Sequence, residues 1–227
     1  MKSFFKPEEP VVHIGVIEKK GDMMWNGVQT GNDGMSDHWN RMEGQSLSLV
    51  TYTNADEVEL VLNGKSLGKK QNSLKDAKMR NQIRWNDVKY QPGKLVAIAR
   101  TNGREVARHQ IETTTEAVRL KAEVDNAEWK ADGMDLQHVQ IVAVDKKGRK
   151  VQTAVGEVTF SVEGPADIVG VINGDINSNE MTTGYKRSLY NGTCTAILRS
   201  KKGERGQVVL TATAPGMKPI KLPLKTQ

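Results

Sequence analysis

The chain has 227 residues, 26% of them charged and 37% hydrophobic, with a formal net charge of +6. That mixture is too apolar for a disordered chain and too even for a fibrous one, and no apolar run reaches the ~18 residues of a membrane helix. One cysteine, Cys194, excludes an internal disulfide and a cysteine-based metal site, and the charge divides evenly at +3 on each side of residue 115, so neither half is a basic domain.

Residues 1–44 read as an extended lead-in segment and a long polar loop carrying Gly27, Gly31 and Gly34. Met1–Pro7 lacks the apolar core of a signal peptide. Trp25 and Trp39 flank the loop; each indole offers a flat apolar face and a polar tip, so the pair is the candidate carbohydrate-stacking platform, although for either Trp taken alone ordinary packing is the favoured reading. Trp85, in a strand-like run from Gln82 to Tyr90, reads as core.

Period-two alternation then begins. Val58, Leu60 and Leu62 oppose Glu57 and Glu59, and Asn63-Gly64 follows as a two-residue hairpin turn. A basic stretch comes next: Lys65, Lys69, Lys70, Lys75, Lys78, Arg80 and Arg84, offset by Asp76 alone. It holds no aromatic on which a base could stack, so a solvated loop is preferred to a polyanion site, and no nucleic-acid partner is expected. Asn102-Gly103 signals another hairpin. The polar segment Glu112–Ala117 marks the domain junction, giving 1–115 and 116–227.

The second half restarts with Leu120, Ala122 and Val124. Further alternating runs are Val158/Phe160/Val162, Cys194/Ala196/Leu198, Val208/Leu210/Ala212 and Ile220/Leu222/Leu224. Gly148 and Gly203, in charged segments, are expected to turn hairpins, and Pro223 makes the last run an edge strand. No dozen-residue segment keeps a helical period. The fold class is therefore all-β: two tandem immunoglobulin-like antiparallel β-sandwiches.

Motifs for chemistry are sparse. The four histidines are scattered, and no Gly-x-Ser-x-Gly elbow presents a nucleophile. Gly64-Lys65-Ser66 ends like a phosphate loop, but Glu59 stands where its first glycine belongs. The sharpest feature is the polar loop Asn173–Glu180. Asp175, Asn177 and Asn179 alternate oxygens as a calcium loop does, yet Glu180 replaces the required glycine and Lys186 the final ligand. A turn in which Asn and Asp side chains bond nearby backbone is the favoured reading, with no metal and no cofactor expected.

Several stretches, in order, resemble one family. The run from Tyr52 to Gly68, containing Asn63-Gly64-Lys65, looks like the first domain after the catalytic barrel in bacterial β-galactosidases of glycoside hydrolase family 2. His38-Trp39-Asn40, Tyr90-Gln91-Pro92-Gly93 and Glu112-Thr113-Thr114 are similar to flanking parts of that domain. Asp132-Gly133-Met134-Asp135-Leu136 and Asn173-Gly174-Asp175 with Ser178 and Glu180 resemble the sandwich that follows. The sequence departs from the pattern at Arg41, where relatives often place a second aromatic.

The resemblance implies a non-catalytic C-terminal module pair of a retaining glycosidase, whose two catalytic glutamates would lie in a barrel for which this chain has no alternating strand–helix pattern. Asn179-Glu180 matches the family's Asn-Glu pair only superficially, because it falls in the sandwich region. The implied partner is the parent's catalytic barrel, with a β-galactoside or longer glycan and a second copy of the chain as further partners. The parent is expected to be a periplasmic or secreted bacterial protein. An autonomous carbohydrate-binding module and a cell-surface adhesion array stand as alternatives.

Overall fold

The computed structural model describes residues 2–19, 24–25, 28–29, 34–73, 75–76, 79–125 and 128–227. Within these the chain is all-β apart from one helical turn, α1 (Lys2–Phe5), and it forms two compact units, Met1–Thr113 and Thr114–Gln227. Each is an antiparallel β-sandwich with its own apolar core.

The first unit contains β1 (Val12–Lys19), β2 (Met24–Trp25), β3 (Val28–Gln29), β4 (Gly34–Ser36), β5 (Ser46–Thr53), β6 (Glu57–Leu62), β7 (Lys65–Gln71), β8 (Gln82–Lys89), β9 (Lys94–Thr101) and β10 (Arg104–Glu112). One sheet runs β4-β1-β5-β8, the other β10-β9-β6-β7, and β2 and β3 pair separately. Alternation decides what faces inward. Val58, Leu60 and Leu62 are buried while Glu57 and Glu59 stay half-exposed.

The expected lead-in segment is corrected here. Residues 12–19 are an interior strand, hydrogen-bonded to β4 on one side and β5 on the other. Val12, Ile14 and Val16 enter the core, alternating with His13 and Gly15, and that short alternation was the available signal.

Both Asn-Gly pairs make two-residue hairpins. Asn63 and Gly64 have φ of 50° and 83°, Asn102 and Gly103 of 51° and 76°, between the flanking pairs Leu62/Lys65 and Thr101/Arg104. The Asn63 side chain also reaches across to the β8–β9 connection. Its Nδ2 donates to the Pro92 carbonyl at 3.0 Å and its Oδ1 accepts from the Lys94 N–H at 2.8 Å. A Cβ on Gly93, which sits at φ 138°, would lie 1.9 Å from that Oδ1, so the two motifs Asn63-Gly64 and Pro92-Gly93 are parts of one joint.

The second unit contains β11 (Arg119–Val124), β12 (Leu136–Val144), β13 (Glu157–Glu163), β14 (Ala166–Ile172), β15 (Lys186–Ser188), β16 (Thr193–Ser200), β17 (Gly206–Thr213) and β18 (Ile220–Thr226). Its sheets run β11-β12-β16-β14 and β15-β13-β17-β18. Trp129, Ile141, Leu198 and Leu210 are fully buried between them. Pro223 lies on the edge strand β18, where a missing N–H costs no ladder bond. Gly148 turns a tight hairpin closed by Val144 and Lys150. Gly203 does not. It turns the chain at φ 75° between β16 and β17, which belong to different sheets, so the charged segment Lys201–Arg205 is an arch over the end of the sandwich.

The polar segment at the junction is pinned on each side. Thr113 donates its N–H to the Gly93 carbonyl and its hydroxyl to the Trp39 carbonyl in the first unit. Thr115 donates its N–H to the Asp145 carboxylate in the second.

Candidate functional site

The polar loop singled out in the sequence joins β14 to β15. Its first half is a chain of side-chain turns. Asn173 Oδ1 accepts the Asp175 N–H at 3.1 Å, Asp175 Oδ1 accepts the Asn177 N–H at 3.0 Å, and Ser178 Oγ accepts the Glu180 N–H at 3.3 Å. Of the three oxygens spaced like cation ligands, that of Asp175 is thus engaged with backbone, and Asn177 and Asn179 are exposed. Among the described residues no group of three or more His, Cys, Asp or Glu is placed to hold a metal.

Arg187 on β15 organises the loop from below. Its side chain is 4% exposed; Nη1 donates to the Glu180 carbonyl at 3.0 Å and Nη2 to Asn173 Oδ1 at 2.9 Å. Its Nε lies 3.5 Å from Glu180 Oε2, an ion pair without a hydrogen bond. Glu180 also accepts the Ser188 hydroxyl at 2.6 Å and the Ser188 N–H at 3.2 Å. The Ser188 hydroxyl, helped by the Arg187 charge against a burial cost, holds the Glu180 carboxyl below its ordinary range. A general acid for glycosidic cleavage needs the opposite shift.

On that rigid frame stand large apolar side chains in water. Ile176 is 96% exposed, Met181 75% and Tyr185 61%. Met181 and Tyr185 rim a hollow of about 420 Å³ together with Glu157, Glu180 and Lys186. Exposed apolar groups on a loop tied down by side-chain hydrogen bonds suit contact with another protein surface.

The tryptophans expected to meet sugar fall elsewhere. Trp39 is fully buried at the centre of the first sandwich, edge-on to Tyr90 with ring centroids 5.1 Å apart, and its Nε1 donates to the Gln91 carbonyl at 3.1 Å. Stacking needs a free face, so Trp39 is a core residue and the platform is corrected. Trp25 falls in β2, and its side chain lies outside the described residues. Trp85 is core as expected, its Nε1 donating to Thr51 Oγ1 at 3.1 Å.

The segment around Trp39 is held by an arginine. Arg41, where an aromatic was expected, bonds the Asn40 carbonyl at 2.6 Å and Ser36 Oγ at 2.8 Å, pairs with Glu18, and lies 2.7 Å from His38 Nδ1. Burial first, then the Arg41 charge, pushes the His38 pKa down.

The fold also joins residues no spacing rule links. His13 and His109 sit with ring centroids 4.3 Å apart, and His109 Nδ1 accepts the Ile14 N–H at 3.2 Å.

Residues 120–222 match the glycoside hydrolase family 2 C-terminal domain 5, and residues 44–107 match a domain of unknown function, DUF4982. The chain is 35% identical over 191 residues to the beta-galactosidase BoGH2A of Bacteroides ovatus, covering 84% of this chain and 22% of the relative. It is 28% identical over 193 residues to a beta-glucuronidase of Formosa agariphila, covering 83% of this chain and 19% of the relative. A crystal structure of a glycosyl hydrolase family 2 member from Bacteroides cellulosilyticus is similar with a TM-score of 0.89 and 30% identity, over 100% of this chain and 29% of that one. The chain thus spans about a fifth of the length of these two relatives.

Proposed function

The chain belongs to glycoside hydrolase family 2, as part of its C-terminal β-sandwich region, and from that membership we propose that it acts as a non-catalytic module pair within a longer glycosidase. The reading is carried by one observation: the chain corresponds to about a fifth of each relative, while every described sheet is antiparallel. The (β/α)₈ barrel on which family 2 builds its catalytic site is made of parallel strands alternating with helices. The parent's reaction on this reading is hydrolysis of O-glycosyl bonds, with β-galactosides the first substrate class to test and β-glucuronides the second.

The part played by these modules is support of the barrel, and the Ile176/Met181/Tyr185 surface is the docking face. The strand order of the second unit, with its first, second, sixth and fourth strands in one sheet, supports placing it with the immunoglobulin-like sandwiches. The test is to produce the parent enzyme's remaining N-terminal portion separately and titrate it with this chain by calorimetry. Saturable binding that falls at least roughly tenfold in the Met181→Ser/Tyr185→Ser double variant is expected. A barrel portion that ignores the chain, or binds the double variant equally, overturns the docking role.

A further inference from the structure

The edge of the first sandwich carries a groove that neither the docking role nor the sequence motifs explain. It holds about 520 Å³ and opens between β7 and β8, the edge strands of the two sheets. Both strands bulge there. On β7 the register slips between Gly68 and Ser66, leaving Leu67 unpaired against β6 and 40% exposed. On β8 it slips between Val88 and Trp85, so that Asn86 and Asp87 stand against one residue of β5, with Asp87 at φ 57°. A bulge redirects side chains and interrupts pairing, and a left-handed Asp stores strain that tends to collect at binding sites. Two bulges facing each other across one groove hold it open.

Its lining has a definite chemistry. Lys65, Lys70 and Lys89 present three ammonium groups against the one carboxylate of Asp87. Lys70 is fixed in place: its Nζ donates to the Arg84 carbonyl at 2.8 Å and lies 4.9 Å from the centre of the Trp85 ring. Leu67 and Val88 supply an apolar floor, and Asn86 and Gln91 supply amides.

We propose that this groove binds an anionic glycan, its carboxylate or sulfate groups on Lys65, Lys70 and Lys89, its hydroxyls on Asn86 and Gln91, and a pyranose C–H face on the exposed Leu67. Charge complementarity selects an anion. The apolar floor between amides selects a sugar over inorganic phosphate. Nucleic acid is disfavoured because Trp85 is 3% exposed beneath Lys70, leaving no face on which a base could stack. The proposal rests on the family placement for its choice of glycan. The groove lies on the first unit and the docking face on the second, so each can fail alone.

The test uses the full 227-residue chain and calorimetry with galacturonan oligosaccharides and chondroitin sulfate, alongside neutral galactan, poly-glutamate and a single-stranded oligonucleotide. Saturable binding to at least one acidic glycan, with none to galactan, is expected. The exposed double variant Lys65→Gln/Lys89→Gln should weaken it at least roughly tenfold, as expected for two lost charge-assisted contacts. Lys201→Gln/Lys202→Gln, equal in charge but on the second unit, should leave it unchanged. Three results overturn the proposal: no acidic glycan binds, the two double variants weaken binding equally, or poly-glutamate or the oligonucleotide binds as tightly as the glycan.

Discussion

Asp145 shows how one side chain governs a turn. Its buried carboxylate accepts the N–H groups of Lys147 and Arg149 at 2.9 and 3.0 Å and a fork from Arg149 Nε and Nη2 at 2.9 and 2.6 Å. Burial alone would raise its pKa, but the Arg149 guanidinium and the N–H groups of Arg149 and Thr115 outweigh it and bring the value to about 2. The folded pKa lies below the unfolded one. The resulting stability, on the order of 2 kcal/mol, is therefore complete above about pH 4 and is lost as pH falls towards 2. Denaturant midpoints taken from pH 5 to pH 2 should fall over that window, and Asp145→Asn should flatten the fall while lowering stability at pH 7.

His109 acts at higher pH and with the same sign. Burial, then the neighbouring His13, pushes its pKa down, and its Nδ1 is occupied by the Ile14 N–H. The neutral ring is favoured by folding, so its contribution is complete above about pH 6.5 and declines as pH falls through the lowered folded value. His38 is displaced in the same direction and shares the slope. Midpoints between pH 8 and pH 5 should therefore drop towards acid, less steeply in His109→Asn. The Gly93 position makes a harsher demand. Gly93→Ala combines a left-handed φ with overlap on Asn63 and should cost roughly 2 kcal/mol or more, read as a lowered midpoint.

At the scale of elements, a loop and a strand stabilise each other across β15. Arg187 is buried and satisfies the Glu180 carbonyl and Asn173 Oδ1, so Arg187→Met should remove both bonds and unpair Glu180. A loss of about 2 kcal/mol is expected, smaller than for a fully buried pair because Glu180 is 35% exposed, with earlier proteolytic cutting within residues 173–185 as the local readout. Strand identity was readable wherever one face is apolar and the other wet, as at Val58–Leu62 and Val208–Ala212. It was missed at β1, where His13, Gly15 and Ile17 do not look like a solvent face. Only His13 of the three is exposed, and the Met35 side chain of β4 lies over Gly15, so the outer face of this strand is only partly wet.

For the whole molecule, each unit owns a contiguous core: Trp39, Ile14, Leu49 and Leu60 in the first, Trp129, Ile141, Leu198 and Leu210 in the second. A separate core is the condition for independent folding. Residues 114–227 produced alone should therefore unfold in a single cooperative transition; a gradual, non-cooperative melt would contradict it. Trp39→Ala should destabilise the first unit by roughly 3–5 kcal/mol, because it removes one of the two largest side chains of that core. The lone thiol fits the same picture. Burial pushes Cys194 up to about 12, which keeps it protonated and inert.

The sequence by itself determined the all-β class, both Asn-Gly hairpins, the edge position of Pro223 and the kinship with family 2. These depend on local backbone preference, on period-two patterning and on short ordered motifs, all written along the chain. Tertiary structure alone decided which polar and aromatic groups face water. Trp39 looked like a platform beside a polar loop, yet burial depends on what packs against it, and Tyr90 closes over Trp39. The β7–β8 groove was equally hidden. Lys65 and Lys70 read as part of a solvated run until two bulges, one on each sheet, set them with Lys89 around a common cavity.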